Sequence, residues 1–366
     1  MDRMQSKAAV FDSPGLPLRM VDFPVPDPGP GEVLVRIRCA TICGSDLHTI
    51  FGRRHSPTPS ILGHEMVGDI AASGAGRLRD FFGRPLAIGD RVTWSMVWSC
   101  GDCYYCDYGL PSKCEHLFKF GHERIGGRRD LTGAYAEYCI LPAGTAIFPV
   151  PANVPDLVAA PSNCATATVS AVLRNAGSVA GATVLVMGTG MLGLTACAMA
   201  RAEGAAEVIA VERAPRRREL AWKFGATVLL DPEDSLLESI RAATGGHGVD
   251  CILEFAGTPE AGESALPLLR AGGHLVMAGA VFPARPMSVP AEDIVRRLLR
   301  VTGVYNYRPE DLGHALRFLS EQMTTYPFED LIAARYPLSE INTAIGFSES
   351  EKPPRTAVFP DWNLCK

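Results

Sequence analysis

The sequence predicts an α/β protein of about two domains, one β-rich and the other built on a doubly wound parallel sheet, and three observations predict it. A chain of 366 residues, at roughly 150 residues per domain, makes two domains with ample buried core. The 36 Gly and 28 Pro exceed the usual share of about 12%, which means many turns and short strands rather than a helical bundle. The apolar rhythm also changes along the chain. Short runs cut by Gly and Pro fill the region before about residue 150, and strands alternating with longer helical stretches fill about 171–303.

Composition narrows the class further. With 47% hydrophobic and 20% charged residues, long disorder is excluded. A net charge of −5 provides no global field for nucleic acid or an anionic membrane. The first ten residues mix Asp2, Arg3 and Lys7 with small side chains, so no leader is expected. The uncharged stretch 175–200 is long enough to span a bilayer, but its glycines divide it into a strand, a turn and a helix.

Taken in order, 32–38 and 134–141 read as strands of the first region. In the second, 183–187, 208–212, 251–255 and 274–279 are strands, and 192–202 is a helix. A helix over 312–322 and a closing strand over 356–359 occupy the tail. The second region therefore reads as repeated βαβ units on a parallel sheet.

Eleven cysteines in a large chain without an expected leader favour metal ligands over disulfides. Four of them crowd together as Cys100-x2-Cys103-x2-Cys106-x7-Cys114, in a loop containing Gly101, Gly109 and Pro111. Four thiolates on a flexible loop suit tetrahedral zinc and leave no open position, so the site would be structural. An iron–sulfur cluster, for which the usual following Pro is missing, and reduced surface thiols are the alternatives. Cys43 and His64, twenty-one residues apart, form a second plausible zinc pair.

Five phrases in order resemble the zinc-dependent medium-chain alcohol dehydrogenases over nearly the whole chain. They are Cys43-Gly44-Ser45-Asp46, Gly63-His64-Glu65 with Gly68, Gly89-Asp90-Arg91-Val92, the four-cysteine loop, and Gly188-Thr189-Gly190-Met191-Leu192-Gly193. The resemblance implies Cys43, His64 and Cys164 as protein ligands of a catalytic zinc with one open position, beside the structural zinc of the same subunit. It implies that Asp46 fixes the His64 tautomer and that Glu65 lies near the metal. Zinc would lower the pKa of an alcohol, hydride would pass to a nicotinamide, and the proton would leave through Ser45 and His48. Thr168 would pack near the nicotinamide. A fainter resemblance is to a subgroup linked with phosphonate metabolism. Cys39, Cys139, Cys197, Cys251 and Cys365 carry no motif and are expected to be inert thiols.

The glycine phrase sits between an expected strand and an expected helix, the context a dinucleotide fingerprint requires. Gly188 permits the turn, Gly190 admits pyrophosphate and Gly193 lets helix pack on strand. Glu212 closes the next strand, where a carboxylate binds ribose hydroxyls and favours NAD over NADP. Arg213 beside it, with Arg216, Arg217 and Arg218 beyond, could instead receive a 2′-phosphate. Gly44 stands where several relatives carry a basic residue, so pyrophosphate would lean on the fingerprint and on Arg355, whose setting resembles the family's C-terminal cofactor-contacting arginine.

The resemblance thus implies a discontinuous GroES-like catalytic domain, 1–155 and 305–366, around a Rossmann domain, 156–304. It also implies a homodimer or homotetramer in the cytoplasm acting on a small alcohol or carbonyl. The pocket would draw on Phe51, Arg53, Arg54, Met96 and Trp98. Arg53 and Arg54, with Arg124, Arg128 and Arg129, could recognise a substrate anion. A zinc-free quinone or enone reductase on the same fold and a nucleic-acid-binding zinc module are the competing classes. The trio Cys43, His64 and Cys164 speaks against the first and the net charge against the second.

Overall fold

The computed structural model describes residues 4–127 and 130–363. It forms two compact units. The first takes the chain through Cys164, then Arg308–Met323 and the residues from Phe328 on; the second takes Ala165–Tyr307 with Thr324–Pro327. The first boundary lies at Cys164 rather than 155 because the turn Ala160–Asn163 packs on the first unit's strands.

The first unit begins with β1 (Gln5–Phe11) paired antiparallel to β2 (Arg19–Pro24). The long strand β3 (Val33–Ile42) buries Val33, Val35 and Ile37 and leaves Arg36 and Arg38 half-exposed, the alternation of a one-faced strand; from Cys39 on it is buried on both faces. Then follow α1 (Gly44–Ile50), β4 (Ser60–Ile61), β5 (Glu65–Ser73), β6 (Arg91–Trp94), β7 (Val97–Trp98), α2 (Tyr104–Asp107), β8 (Phe118–Lys119), β9 (Tyr138–Leu141), β10 (Ile147–Pro149) and α3 (Asp156–Ala159). Of the strand expected over 134–141, only β9 is regular. Tyr135 instead threads between neighbours, its N–H donating to the Leu62 carbonyl and its carbonyl accepting from the Ala9 N–H.

The second unit carries α4 (Ala165–Ala176), β11 (Thr183–Met187), α5 (Met191–Ala202), β12 (Glu207–Val211), α6 (Pro215–Lys223), β13 (Val228–Leu230), α7 (Leu236–Ala243), β14 (Val249–Glu254), α8 (Pro259–Ala265), β15 (Leu269–Met277), α9 (Ala291–Arg296) and β16 (Arg300–Gly303). Its strands are parallel in the order β13-β12-β11-β14-β15-β16. The order reverses beside β11, whose C-terminal end is therefore the topological switch point where ligands bind in doubly wound sheets. Stretch 175–200 resolves into the end of α4, β11 and α5, and among the described residues no helix is long and apolar enough to cross a membrane.

The chain then re-enters the first unit with α10 (Pro309–Gln322), β17 (Ile332–Pro337), α11 (Ile341–Glu351) and β18 (Arg355–Phe359). The main sheet of that unit runs β10-β6-β5-β3-β18-β17, with β9 also on β3. Its register sets Thr41 opposite Glu65 and Ile42 opposite Thr356. Consequently Cys43, His64 and Arg355, each at or beside the end of its strand, emerge at one corner of the sheet. Trp94, Phe120 and Tyr135 are fully buried in this unit's core.

Candidate active site

At that corner the ligand atoms of Cys43, His64, Glu65 and Cys164 lie within 4.8 Å of one another. Cys43 leaves β3 and caps α1, and its N–H donates to Asp46 Oδ2 at 3.0 Å. His64 immediately precedes β5 and is fully buried. Its Nδ1 lies 3.2 Å from Asp46 Oδ1 and its Nε2 3.5 Å from Ser45 Oγ. With its Nδ1 proton on Asp46, the ring turns Nε2 toward the sulfurs, where it can ligate a metal once it loses its second proton. The Tyr135 hydroxyl donates to the same carboxylate at 3.0 Å, and Asn163 Nδ2 donates to the His64 carbonyl at 3.0 Å.

Glu65 is engaged from the other side. Its two oxygens accept from Arg355 Nε and Nη2, each at 2.6 Å, and the Thr41 hydroxyl donates at 2.5 Å. Arg355 is nearly buried, and its remaining donors reach the Pro354 carbonyl at 2.7 Å and Cys43 Sγ at 3.6 Å. Arg355, expected from the resemblance to contact the cofactor, is thus tied into the cysteine–histidine corner through Glu65 and Cys43.

The titration of this corner follows from these contacts. The hydrogen bond from Cys164 is the largest reason that the Cys43 thiol sits well below its ordinary range; burial opposes it and Arg355 assists. Cys164, donating that bond, is displaced well upward. Burial disfavours the charged imidazole of His64, but the Asp46 charge, the Asp46 hydrogen bond and Cys43 outweigh it and raise the pKa to about 10. Burial pushes Glu65 up to about 7 against the pull of Arg355. Two thiols, an imidazole and a carboxylate in a desolvated corner form a soft donor set suited to zinc, and the accumulated negative charge is what a divalent cation neutralises.

The four-cysteine loop closes as a second cluster, with all four sulfurs within 4.8 Å of one another. Cys103 and Cys100 lie 3.8 and 3.4 Å from Cys114. Tetrahedral thiolates about 2.3 Å from a zinc ion would lie about 3.8 Å apart, so the spacing fits. The backbone N–H groups of Cys100 and His116 point at Cys114 Sγ, each at 3.3 Å, and that of Glu115 points at Cys103 Sγ at 3.4 Å. The Glu115 bond is the leading cause that lowers Cys103 to about 6.

In the second unit, β11 runs into the glycine turn and α5. Gly188 takes φ +86°, where side chains are strained, and a Cβ on Gly193 would overlap the Gly188 carbonyl oxygen. At Gly190 a Cβ would meet nothing within 4 Å, leaving backbone open to a phosphate at the helix N-terminus. Glu212 clasps this turn. Its Oε2 accepts from the Thr189 N–H at 2.8 Å and hydroxyl at 3.3 Å, and its Oε1 accepts from the Ala214 N–H at 2.9 Å. Arg213 is exposed, and Arg218 binds Asp231 at 2.5 Å and the Glu212 carbonyl at 2.7 Å. Thr168 lies half-buried on α4.

The expected pocket residues divide. Arg53 donates to both carboxylate oxygens of Glu349, at 3.0 and 3.1 Å, in an exposed ion pair. Arg54 is half-buried, Phe51 and Arg124 are exposed, Met96 is buried, and Trp98 Nε1 donates to the Ala143 carbonyl at 2.8 Å. Arg128, Arg129 and Cys365 lie outside the described residues. His48 on α1 has its pKa lowered, by burial first and then by Arg53. Cys39, Cys139, Cys197 and Cys251 are buried free thiols; burial pushes the last two up to about 12. Sequence reading missed Tyr135, Asn163, Thr41, Lys119 and His122, since none carries a metal-site motif.

Two family models match the chain: an alcohol dehydrogenase GroES-like domain over residues 29–152 and a zinc-binding dehydrogenase over 192–321. L-threonine 3-dehydrogenase of Pyrococcus furiosus is 35% identical over 291 residues, 78% of each chain. The solved alcohol dehydrogenase of Thermotoga maritima superposes with a TM-score of 0.93 at 30% identity, over 98% of this chain and 100% of that one. A Sinorhizobium meliloti protein described as a zinc-binding dehydrogenase, bound to NADP, gives 0.85 at 29% identity, with the same coverage of each chain.

Proposed function

The chain belongs to the zinc-dependent medium-chain alcohol dehydrogenase family, and on that premise we propose that it interconverts a primary or secondary alcohol with its aldehyde or ketone at the corner of Cys43, His64 and Cys164. The observation that carries this reading is the convergence of those three donors within 4.8 Å, with Asp46 fixing the histidine tautomer. They would hold zinc, and Cys100, Cys103, Cys106 and Cys114 would hold a second ion as a structural clamp. When bound, zinc supplies a Lewis acid that lowers an alcohol's pKa, and the nicotinamide supplies the hydride acceptor.

The chain's own residues orient and move the proton. Ser45 Oγ, beside His64 Nε2, would take the substrate's hydroxyl proton as it releases its own, and His48 would carry the released proton toward solvent. Arg355 holds the Glu65 carboxylate by two hydrogen bonds and offsets its charge beside the cysteine–histidine corner. Gly190 offers its open backbone to the pyrophosphate, and Glu212, by clasping Thr189, shapes that turn and disfavours a 2′-phosphate, so NAD is the preferred cofactor.

We further propose a homodimer. β16 ends the parallel sheet, and the surface around it exposes Val295 (71%), Leu298 (74%), Val301 and Tyr305. Sedimentation should give a dimer that Val301→Asp converts to monomer. For the reaction itself, the test is the appearance of reduced nicotinamide when zinc-loaded protein meets NAD or NADP and a panel of primary and secondary alcohols. Turnover favouring NAD supports the reading, and turnover undiminished in Cys43→Ala contradicts it.

A further inference from the structure

Beside the metal corner lies a group of cations that the reaction described above does not use. β8 pairs with β7 so that Lys119 stands opposite Val97, and the next residue, Phe120, donates its N–H to the Met96 carbonyl at 3.1 Å. Three residues beyond Lys119, the His122 ring lies 5.7 Å from the His64 ring. From the other side, the backbone N–H of Arg54 donates to the His48 carbonyl at 3.0 Å, which fixes the loop that follows α1.

Among the described residues neither the Lys119 ammonium nor the Arg54 guanidinium has a hydrogen-bonded or ion-paired partner, in contrast to Arg53, which Glu349 holds. Glu123 accepts from the Lys119 backbone N–H at 2.9 Å. Burial is the largest cause that lowers Lys119 to about 8, and repulsion from Arg54 is the next; Cys164, Cys43 and Asp46 pull the other way. Arg54, on the loop after α1, and Lys119, three residues before His122, thus flank the metal corner as two cations near enough to repel. Neither has a side-chain partner among the described residues, so an anion between them would relieve that repulsion.

A second mark is independent of charge. His122 is 8% exposed, and its Nδ1 donates to the Phe120 carbonyl at 3.0 Å, so its Nε2 is a bare acceptor. That nitrogen is buried and has no donor among the described residues, which is costly in a folded protein. A ligand bearing anionic oxygens would satisfy the cations, and an O–H donor on it other than the hydroxyl that meets Ser45 would satisfy the acceptor.

We propose that Lys119 and Arg54 form an anion-binding subsite beside the metal corner, which makes the substrate a hydroxyalkyl compound carrying a carboxylate, phosphonate or phosphate group. The subsite deepens the alcohol-dehydrogenase reading and rests on it for the reaction served, but anion binding at these residues is measurable without turnover.

The experiment uses the zinc-loaded enzyme in two arms. In the first, kcat/KM is compared between hydroxyalkyl carboxylates, phosphonates and phosphate monoesters and their uncharged methyl esters of matched length. In the second, binding of inorganic phosphate and of acetate is measured by calorimetry. The anion should be preferred over its ester by at least about tenfold, and Lys119→Gln and Arg54→Gln should each cut that preference by about tenfold to a hundredfold through KM, with Lys119→Arg restoring it. The same two Gln variants should weaken phosphate or acetate binding. Arg54→Gln, on an exposed loop, remains informative should Lys119→Gln not fold. Which anion family shows the preference identifies the headgroup. Turnover of esters and anions alike, with anion binding absent or unmoved by both variants, overturns the subsite. Anion binding lost in both variants, with no alcohol oxidised at all, supports the subsite and overturns the dehydrogenase reading instead.

Discussion

Asp46→Asn offers a sharp test of how the metal corner is organised. The carboxylate is 1% exposed and receives three donors: Cys43 N–H and the Tyr135 hydroxyl on Oδ2, and His64 Nδ1–H on Oδ1. An asparagine offers one oxygen and one NH2. If the oxygen faces Cys43 and Tyr135, the NH2 confronts His64 Nδ1 and drives the imidazole to its other tautomer, placing the proton on the Nε2 that lies 3.5 Å from Ser45 Oγ and faces the sulfurs. If the amide turns round, the buried Cys43 N–H loses its acceptor. Either arrangement costs about 1–3 kcal/mol. Outer partners of ligating histidines typically govern about 10–100-fold in metal affinity, which is about 1.4–2.7 kcal/mol, so the two estimates agree. The assay is chelator titration of the zinc-loaded protein, in which the four-cysteine site serves as an internal reference. The chelator concentration releasing one zinc should fall about 10–100-fold while release of the other stays fixed. Unchanged release of both, or a parallel shift of both, would refute the reasoning.

Three further outcomes follow from the same geometry. Arg355→Met strands the buried Glu65 carboxylate beside Cys43, so stability in denaturant should drop by about 3–5 kcal/mol, and Glu65→Gln in the same chain should restore most of it; a loss below about 1 kcal/mol, the range of an exposed pair, would contradict the ion pair's burial. Gly193→Ala forces a methyl group against the Gly188 carbonyl, which should abolish reduced-nicotinamide binding in a fluorescence titration, and wild-type affinity would show that the turn is not the cofactor's cradle. Lys119 binds an anion only while protonated and titrates near 8. The preference for an anionic substrate over its ester should therefore be full below that pH and fall above it, whereas a flat ratio would remove Lys119 from the contact.

The sequence was most informative where function compresses residues into short phrases. Cys43, Asp46 and His64 are read from two such phrases, and the register of β3, β5 and β18 explains why they meet. The glycine turn was legible because a strand before it and a helix after it have distinct periods. Short edge strands were not: β13 and β16 have three and four residues, without a fully buried face, and sequence reading passed over both. β15 begins at Leu269, ahead of the expected 274, because it continues through Gly272 and Gly273. Partners contributed from far away were equally hidden. Arg53 meets Glu349 across 296 positions, and Arg355 meets Glu65 across 290. Charge counting selected Arg53 and Arg54 alike; only the fold shows that Arg53 pairs with Glu349, and that Lys119, which sequence reading passed over, lies beside the metal corner.

The central claim is that hydride leaves an alcohol at the corner of Cys43, His64 and Cys164. The most direct measurement follows deuterium from the carbinol carbon of a labelled alcohol into the reduced nicotinamide, comparing the zinc-loaded enzyme with a Cys164→Ser protein that retains zinc at the four-cysteine loop. The account predicts stoichiometric transfer in the first and at least about a hundredfold slower transfer in the second, as loss of a ligand to a catalytic metal implies. Equal transfer by both proteins, or reduction of the nicotinamide without the label, would contradict it.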